Sequence, residues 1–127
     1  WDTFVKTYSD RFSRIAYNVR VGEGEHPVPS VEDRFPGLTK ILTQKRIDAV
    51  GFRDGDVTII EVKEFARMSA LGELTLYDAL FQETFGFDGD IRLLLVTTVT
   101  DSDLASLFSA KGVETVVLEV DLRDLPV

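Results

Sequence analysis

Residues 46–63 read RIDAVGFRDGDVTIIEVK, and the fold turns on how this stretch pairs with itself. Two runs rich in Val, Ile and Phe flank Asp54-Gly55, a dipeptide that takes up a tight hairpin turn at low cost. With Asp54 and Gly55 as the loop, cross-strand partners have numbers summing to 109. Phe52 then faces Val57, Val50 faces Ile59, Asp48 faces Glu61 and Arg46 faces Lys63. Because side chains alternate along a strand, one face carries Arg46, Asp48, Val50 and Phe52 beside Val57, Ile59, Glu61 and Lys63. It is apolar near the turn and holds two opposed carboxylates and a lysine at its open end. The competing register, with Gly55-Asp56 as the loop, sums to 111 and pairs Asp48 with Lys63. It keeps the three charged residues on one face.

Directly opposed carboxylates repel in a sheet. A divalent cation between them reverses that sign, and Mg²⁺ takes hard oxygen ligands of this kind. Asp48 and Glu61 are therefore candidate metal ligands, with the Val62 backbone carbonyl as a third. Lys63 is placed to position or deprotonate a water on the cation, or to neutralise an anion in the transition state. The competing reading of the triplet is a solvated strand end. The apolar residues between the charges favour a central hairpin over a polar edge.

With 127 residues the chain suits a single domain, 1–127, with one core. A hydrophobic content of 44% and a charged content of 28% indicate a soluble, globular protein. The absence of cysteine excludes disulfides and thiolate chemistry and fits a reducing, cytoplasmic setting. No apolar run approaches the roughly 20 residues that cross a bilayer, and no stretch has the pattern of a signal peptide. The chain begins at Trp1 rather than Met, in keeping with a piece of something longer. Residues 1–67 hold 11 basic and 11 acidic residues, whereas residues 68–127 hold 3 and 11, so the net charge of −8 sits wholly in the second half. The balanced first half is the better nucleic-acid side, since phosphate contacts dominate such affinity. The acidic C-terminal half suits a protein partner or a homo-oligomeric contact.

Residues 1–14 show apolar positions at helical spacing, from Trp1 through Phe4, Val5, Tyr8 and Phe12. Asp10 is the acid on this segment best placed to approach the hairpin, its other reading being a solvated helix face. Residues 15–21 alternate as a strand. Three of the four prolines and three glycines fall in residues 22–37, marking a long loop over about 22–38. The lone His26 lies in it and reads as a surface residue. Residues 38–45 are ambiguous. Residues 68–85 carry a helical stripe of Leu71, Leu74, Tyr77, Phe81 and Phe85, widened by Ala70, Leu76 and Leu80, and Gly86 is its stop. Glu73 and Tyr77, four apart, share a face. Residues 91–99 read as a strand buried on both faces, 101–111 as a short helix and 113–120 as a closing strand. A hairpin followed by two strand–helix–strand steps gives a central mixed sheet of four or five strands flanked by helices. No phosphate-binding loop, dinucleotide glycine signature or Ser/His/Asp set is present.

This arrangement resembles the PD-(D/E)xK nuclease superfamily, with its restriction-endonuclease-like fold. Asp48 matches the first aspartate of the motif and Glu61-Val62-Lys63 its (D/E)xK triplet, preceded by the hydrophobic strand VTII. The helix after the triplet, SALGELTLYDALF, looks like the one that in many members carries a glutamine-centred motif and a tyrosine. Here Glu73 stands where glutamine is common, and Ile47 rather than proline precedes Asp48. The resemblance covers residues 40–120. It implies Mg²⁺- or Mn²⁺-dependent hydrolysis of phosphodiester bonds, with Asp48 and Glu61 as ligands and Lys63 as activator. Asp10, Glu73 and Tyr77 are possible additional members of the site. Lys45, Arg46 and Arg67 flank the acidic pair as candidate phosphate contacts, their other reading being ordinary solvated strand ends.

Three functions remain open on the sequence. The first is a metal-dependent endo- or exonuclease acting on DNA in preference to RNA. The second is a catalytically silent nuclease-fold subunit that serves as an interaction module in a larger assembly. The third is a small-nucleotide-binding sensor on the same scaffold. Fold alone does not choose among them.

Overall fold

Asp54 and Gly55 both hold positive φ, 51° and 84°, as the two central residues of a type I′ hairpin turn require. The computed structural model describes residues 9–24, 33, 34, 36, 40 and 43–118. The strands that the turn joins are β2 (Lys45–Arg53) and β3 (Asp56–Phe65). Their register, Arg53 with Asp56 through Ala49 with Ile60, is that of an Asp54-Gly55 loop. Before them lie a 3₁₀ turn, Ser9–Arg11, and β1 (Arg14–Val21); after them come α1 (Met68–Phe85), β4 (Ile91–Val99), α2 (Ser102–Ala110) and β5 (Val113–Val117).

The five strands lie in the order β1-β2-β3-β4-β5. The first two pairings are antiparallel and the last two parallel, so the fold is α/β with a mixed sheet. Each parallel step needs a crossover, and α1 and α2 supply them. Both steps move the same way across the sheet. Crossovers of one hand then place both helices on one face, where Ala70, Leu74, Tyr77 and Phe81 of α1 and Phe108 of α2 join Val57, Ile59 and Leu95 in one core cluster. The opposite face gathers Ala49, Ile60, Leu94, Val96 and Val116, with Phe12 and Ile15 packed on them. Gly51 makes room for the Phe12 ring, since a Cβ there would meet ring carbons. In β4, Leu94, Leu95, Val96 and Thr97 are buried in succession, the signature of a strand covered on both sides.

The expected helix over residues 1–14 does not reach its predicted end. Residues 9–11 form only a 3₁₀ turn, and Ser13 already donates its backbone N–H to the Phe52 carbonyl at 2.8 Å. Pairing with β2 satisfies this backbone better than a further helical turn would. Residues 1–8 lie outside the described residues, as do His26, most of the 22–38 loop and residues 119–127. On α1 the buried stripe is Ala70, Leu74, Tyr77 and Phe81, while Leu76 and Phe85 are exposed. Phe85 packs on Phe81 with the rings tilted by 51° and their centroids 4.9 Å apart. Among the described residues, no helix is long and apolar enough to cross a membrane.

Candidate active site

The site forms where β2 leaves β3. Backbone pairing between the two strands ends at Ala49–Ile60, so the ladder expected to run on to Arg46–Lys63 does not. On the other side of β2, pairing with β1 skips a single position, Asn18 with Asp48, and resumes in the same register. Asn18 there has φ of 52°, left-handed backbone that asparagine tolerates better than most side chains. Alternation slips at this point in both strands. Ile15 and Val19 have the same parity yet pack on opposite faces of the sheet; so do Ile47 and Ala49. The slip frees the Asp48 side chain from the regular pleat. Its Oδ2 accepts the Val62 backbone N–H at 2.8 Å, the bond that a continuing β2 backbone would have taken.

Glu61 follows from β3 itself. It lies on the helix side with Val57 and Ile59, beneath α1, and is 3% exposed. Burial is the largest force on its carboxyl, followed by the hydrogen bond and the charge of Asp48, and Glu73 adds to them. Lys63 opposes, and the net result is a carboxyl pushed up from 4.5 to about 8. Glu61 Oε2 is buried with no hydrogen-bond partner. A buried carboxylate oxygen without a donor is costly, and a cation shared with Asp48 would remove that cost.

Only Ala66 and Arg67 separate β3 from α1, so the helix turns straight back over the strand end and brings Glu73 above Lys63. Lys63 Nζ lies 3.1 Å from Glu73 Oε2 and 3.7 Å from Glu61 Oε1. Burial pulls the ammonium down, but the hydrogen bond to Glu73 and the charges of Glu61, Glu73 and Asp48 outweigh it, and its pKa stands above the ordinary lysine value. Tyr77, one turn after Glu73, is buried, and burial together with the charges of Glu61, Glu73 and Asp48 raises its hydroxyl to about 12. Its phenol stays neutral.

The structure thus brings together Asp48, Glu61, Lys63, Glu73 and Tyr77, and it separates others. Asp10 lies at the turn end of the hairpin, where its backbone carbonyl accepts from Arg53, five residues along β2 from Asp48. Arg46 stands opposite Arg20 of β1, not opposite Lys63; next to the inward Ile47, it turns away from the helix face. Lys45 pairs with Val21. Both are exposed, as is Arg20, so two like charges face each other where an anion would relieve them. Arg67 remains near the site. It precedes α1 without capping it through its side chain, its guanidinium lies 5.8 Å from the centre of the Phe65 ring, and it lines a cleft with Lys63. Asn18 and Phe65 are the residues that sequence reasoning passed over. Asn18 is hidden in a run that alternates normally, and Phe65 in a charged stretch with no period.

Among the described residues, no group of three or more Asp, Glu, His or Cys gathers as a metal cage. What is present is a pair of carboxylates, one with an orphaned buried oxygen, the other accepting the Val62 N–H. That set fits a hard cation that keeps several waters, as Mg²⁺ does.

No protein-family model and no curated protein matches the chain. Among solved structures, it is similar to a repair endonuclease from Pyrococcus abyssi, with a TM-score of 0.57 and 18% identity over 93% of this chain and 44% of that one. A protein of unknown function aligns at a TM-score of 0.49 and 19% identity, over 87% of this chain and 52% of its own. The chain therefore spans about half the length of the structures it matches. At this identity the first likeness is one of fold: a five-stranded mixed α/β sheet with two described helices, built like part of a repair endonuclease.

Proposed function

We propose that the chain is a metal-dependent nuclease that hydrolyses phosphodiester bonds, with DNA as the preferred substrate. The observation that carries this reading is the buried Glu61 oxygen without a donor, set against Asp48 at the fork of two strands with Lys63 alongside. Asp48, Glu61 and the Val62 carbonyl would hold Mg²⁺ or Mn²⁺, which when bound supplies charge neutralisation and makes a water acidic near neutral pH. In hydrolysis a water oxygen bonds to phosphorus as it releases a proton to solvent, the ester P–O bond breaks and the departing oxygen takes up a proton from solvent. Lys63, held protonated by Glu61 and Glu73, is suited to donate toward the non-bridging oxygens as negative charge builds on them. It is a poor proton acceptor. Glu73 keeps the ammonium aimed at the site, and neutral Tyr77, on the helix over Glu61, adds no charge.

The fold shared with a repair endonuclease supports the reading and leaves the substrate open. The second reading, a silent nuclease-fold module, is favoured by the lack, among the described residues, of a third carboxylate free to ligate, since Glu73 is taken up by Lys63. A cleavage assay with Mn²⁺ or Mg²⁺ on single-stranded, duplex and branched DNA and on RNA separates the two. Cleavage by the wild type and none by Glu61→Ala is the expected result. No cleavage of any substrate by folded protein would establish the silent module instead.

A further inference from the structure

Beyond Lys63 the same face of β3 carries one more side chain before the strand ends. Phe65 is 46% exposed, two residues on, which the strand rise places about 7 Å past the lysine. Its ring is partly open to solvent, with the Arg67 guanidinium over it, yet its backbone is pinned on either side along the chain. The Glu64 carbonyl accepts from the hydroxyls of Thr97 at 3.0 Å and Thr98 at 2.8 Å, and the Ala66 N–H donates to the Val99 carbonyl at 2.8 Å. An exposed aromatic on an anchored backbone is a preorganised surface, with little left to order when something stacks on it.

The ring lines a cleft of about 250 Å³ with Lys63, Glu64, Arg67, Ser69 and Ala70. That lies just below the range of roughly 300–1,000 Å³ that takes a drug-sized ligand. The cleft therefore suits one planar ring system and the phosphate attached to it. Arg67 offers that phosphate a positive charge, and Lys63 joins the cleft directly to the carboxylate pair.

We infer that Phe65 and Arg67 form a nucleotide subsite next to the scissile phosphate, in which an unstacked base lies on the Phe65 ring, so that the substrate is single-stranded or locally unpaired there. This rests on the nuclease reading of the neighbouring carboxylates. The selection follows from geometry. In a duplex the faces of the bases are covered by their neighbours, and only a base out of the stack can present one to a protein ring. Stacking of this kind tolerates any base, so the subsite reads strandedness and not sequence.

The test uses the chain and two fluorescein-labelled probes, a single-stranded DNA 12-mer and the blunt-ended duplex of that 12-mer with its complement, with binding read by anisotropy in EDTA. Phe65→Leu keeps the apolar bulk and removes the aromatic face. It is expected to weaken single-strand binding roughly tenfold and to leave duplex binding unchanged, with Phe65→Trp restoring the single-strand affinity. Equal loss on both probes, no loss on either, or no binding of DNA by the wild type would overturn the subsite; the last would assign the exposed ring to a protein surface. Cleavage in Mn²⁺ is scored separately with Glu61→Ala as control. Cleavage that is indifferent to Phe65→Leu overturns the subsite and keeps the nuclease. Ring-dependent binding without cleavage keeps the subsite and overturns the nuclease.

Discussion

Glu61 pays for its position unless something positive joins it. Its carboxyl titrates near 4.5 when exposed and at about 8 in the fold. Between those values the folded chain holds a proton that the unfolded chain has released. The contribution of Glu61 to stability is therefore complete below pH 4.5 and is lost as pH rises through 8. In EDTA, the thermal midpoint of the wild type should fall across this window relative to that of Glu61→Gln, whose amide does not ionise. Above pH 8 the glutamine variant should be the more stable of the two. Parallel melting curves from pH 5 to 8.5 check this, and curves that keep a constant separation would remove the buried charge from the account. Lys63 answers to a different measurement. Because Glu73 and Glu61 hold it charged, the role proposed for it is electrostatic, and Lys63→Ala should lower the cleavage rate roughly 100-fold or more. Cleavage by that variant at the wild-type rate would show that the lysine has no such role.

The element that shapes the site is the paired slip in β1 and β2, and it rests on one backbone angle. Asn18 at φ of 52° stands opposite Asp48 where the ladder misses a pair. Left-handed backbone costs an ordinary L-residue about 1–2 kcal/mol and glycine almost nothing. Asn18→Val should lose stability by about that amount in urea denaturation, while Asn18→Gly should stay near the wild type. If valine is tolerated without loss, the slip is not enforced by this residue. Sequence reasoning could see the hairpin because Asp54-Gly55 names its own turn and fixes the register with it. It could place Glu61 at the end of a central strand because VTII precedes it. The slip escaped it, since Asn18 interrupts no alternation and its φ depends on what β2 does alongside. The regular pairing of Arg46 with Lys63 was the cost of assuming an unbroken ladder. Glu73 was found as a helix neighbour of Tyr77; its grip on Lys63 depends on how sharply α1 folds back, which no periodicity records.

At the scale of the whole molecule, charge and fold pull in different directions. The net charge is −8, with Asp48, Glu61 and Glu73 packed about a single lysine. On the proposed reading a cation between the two carboxylates relieves this crowding, so its binding would be coupled to folding. A ligand that binds only the folded chain at 100 times its dissociation constant adds about 2.7 kcal/mol, which for a domain of this size corresponds to roughly 10 °C in thermal midpoint. Saturating Mg²⁺ or Mn²⁺ at pH 7.5 should raise the midpoint by that order. Na⁺ at matched ionic strength separates site binding from screening of the acidic second half, because screening acts on all surface charges alike and a site does not. The rise should vanish in the double variant Asp48→Asn, Glu61→Gln. An equal rise with Na⁺, or one that survives in the double variant, would mean that the cation acts on the acidic surface and not between the two carboxylates.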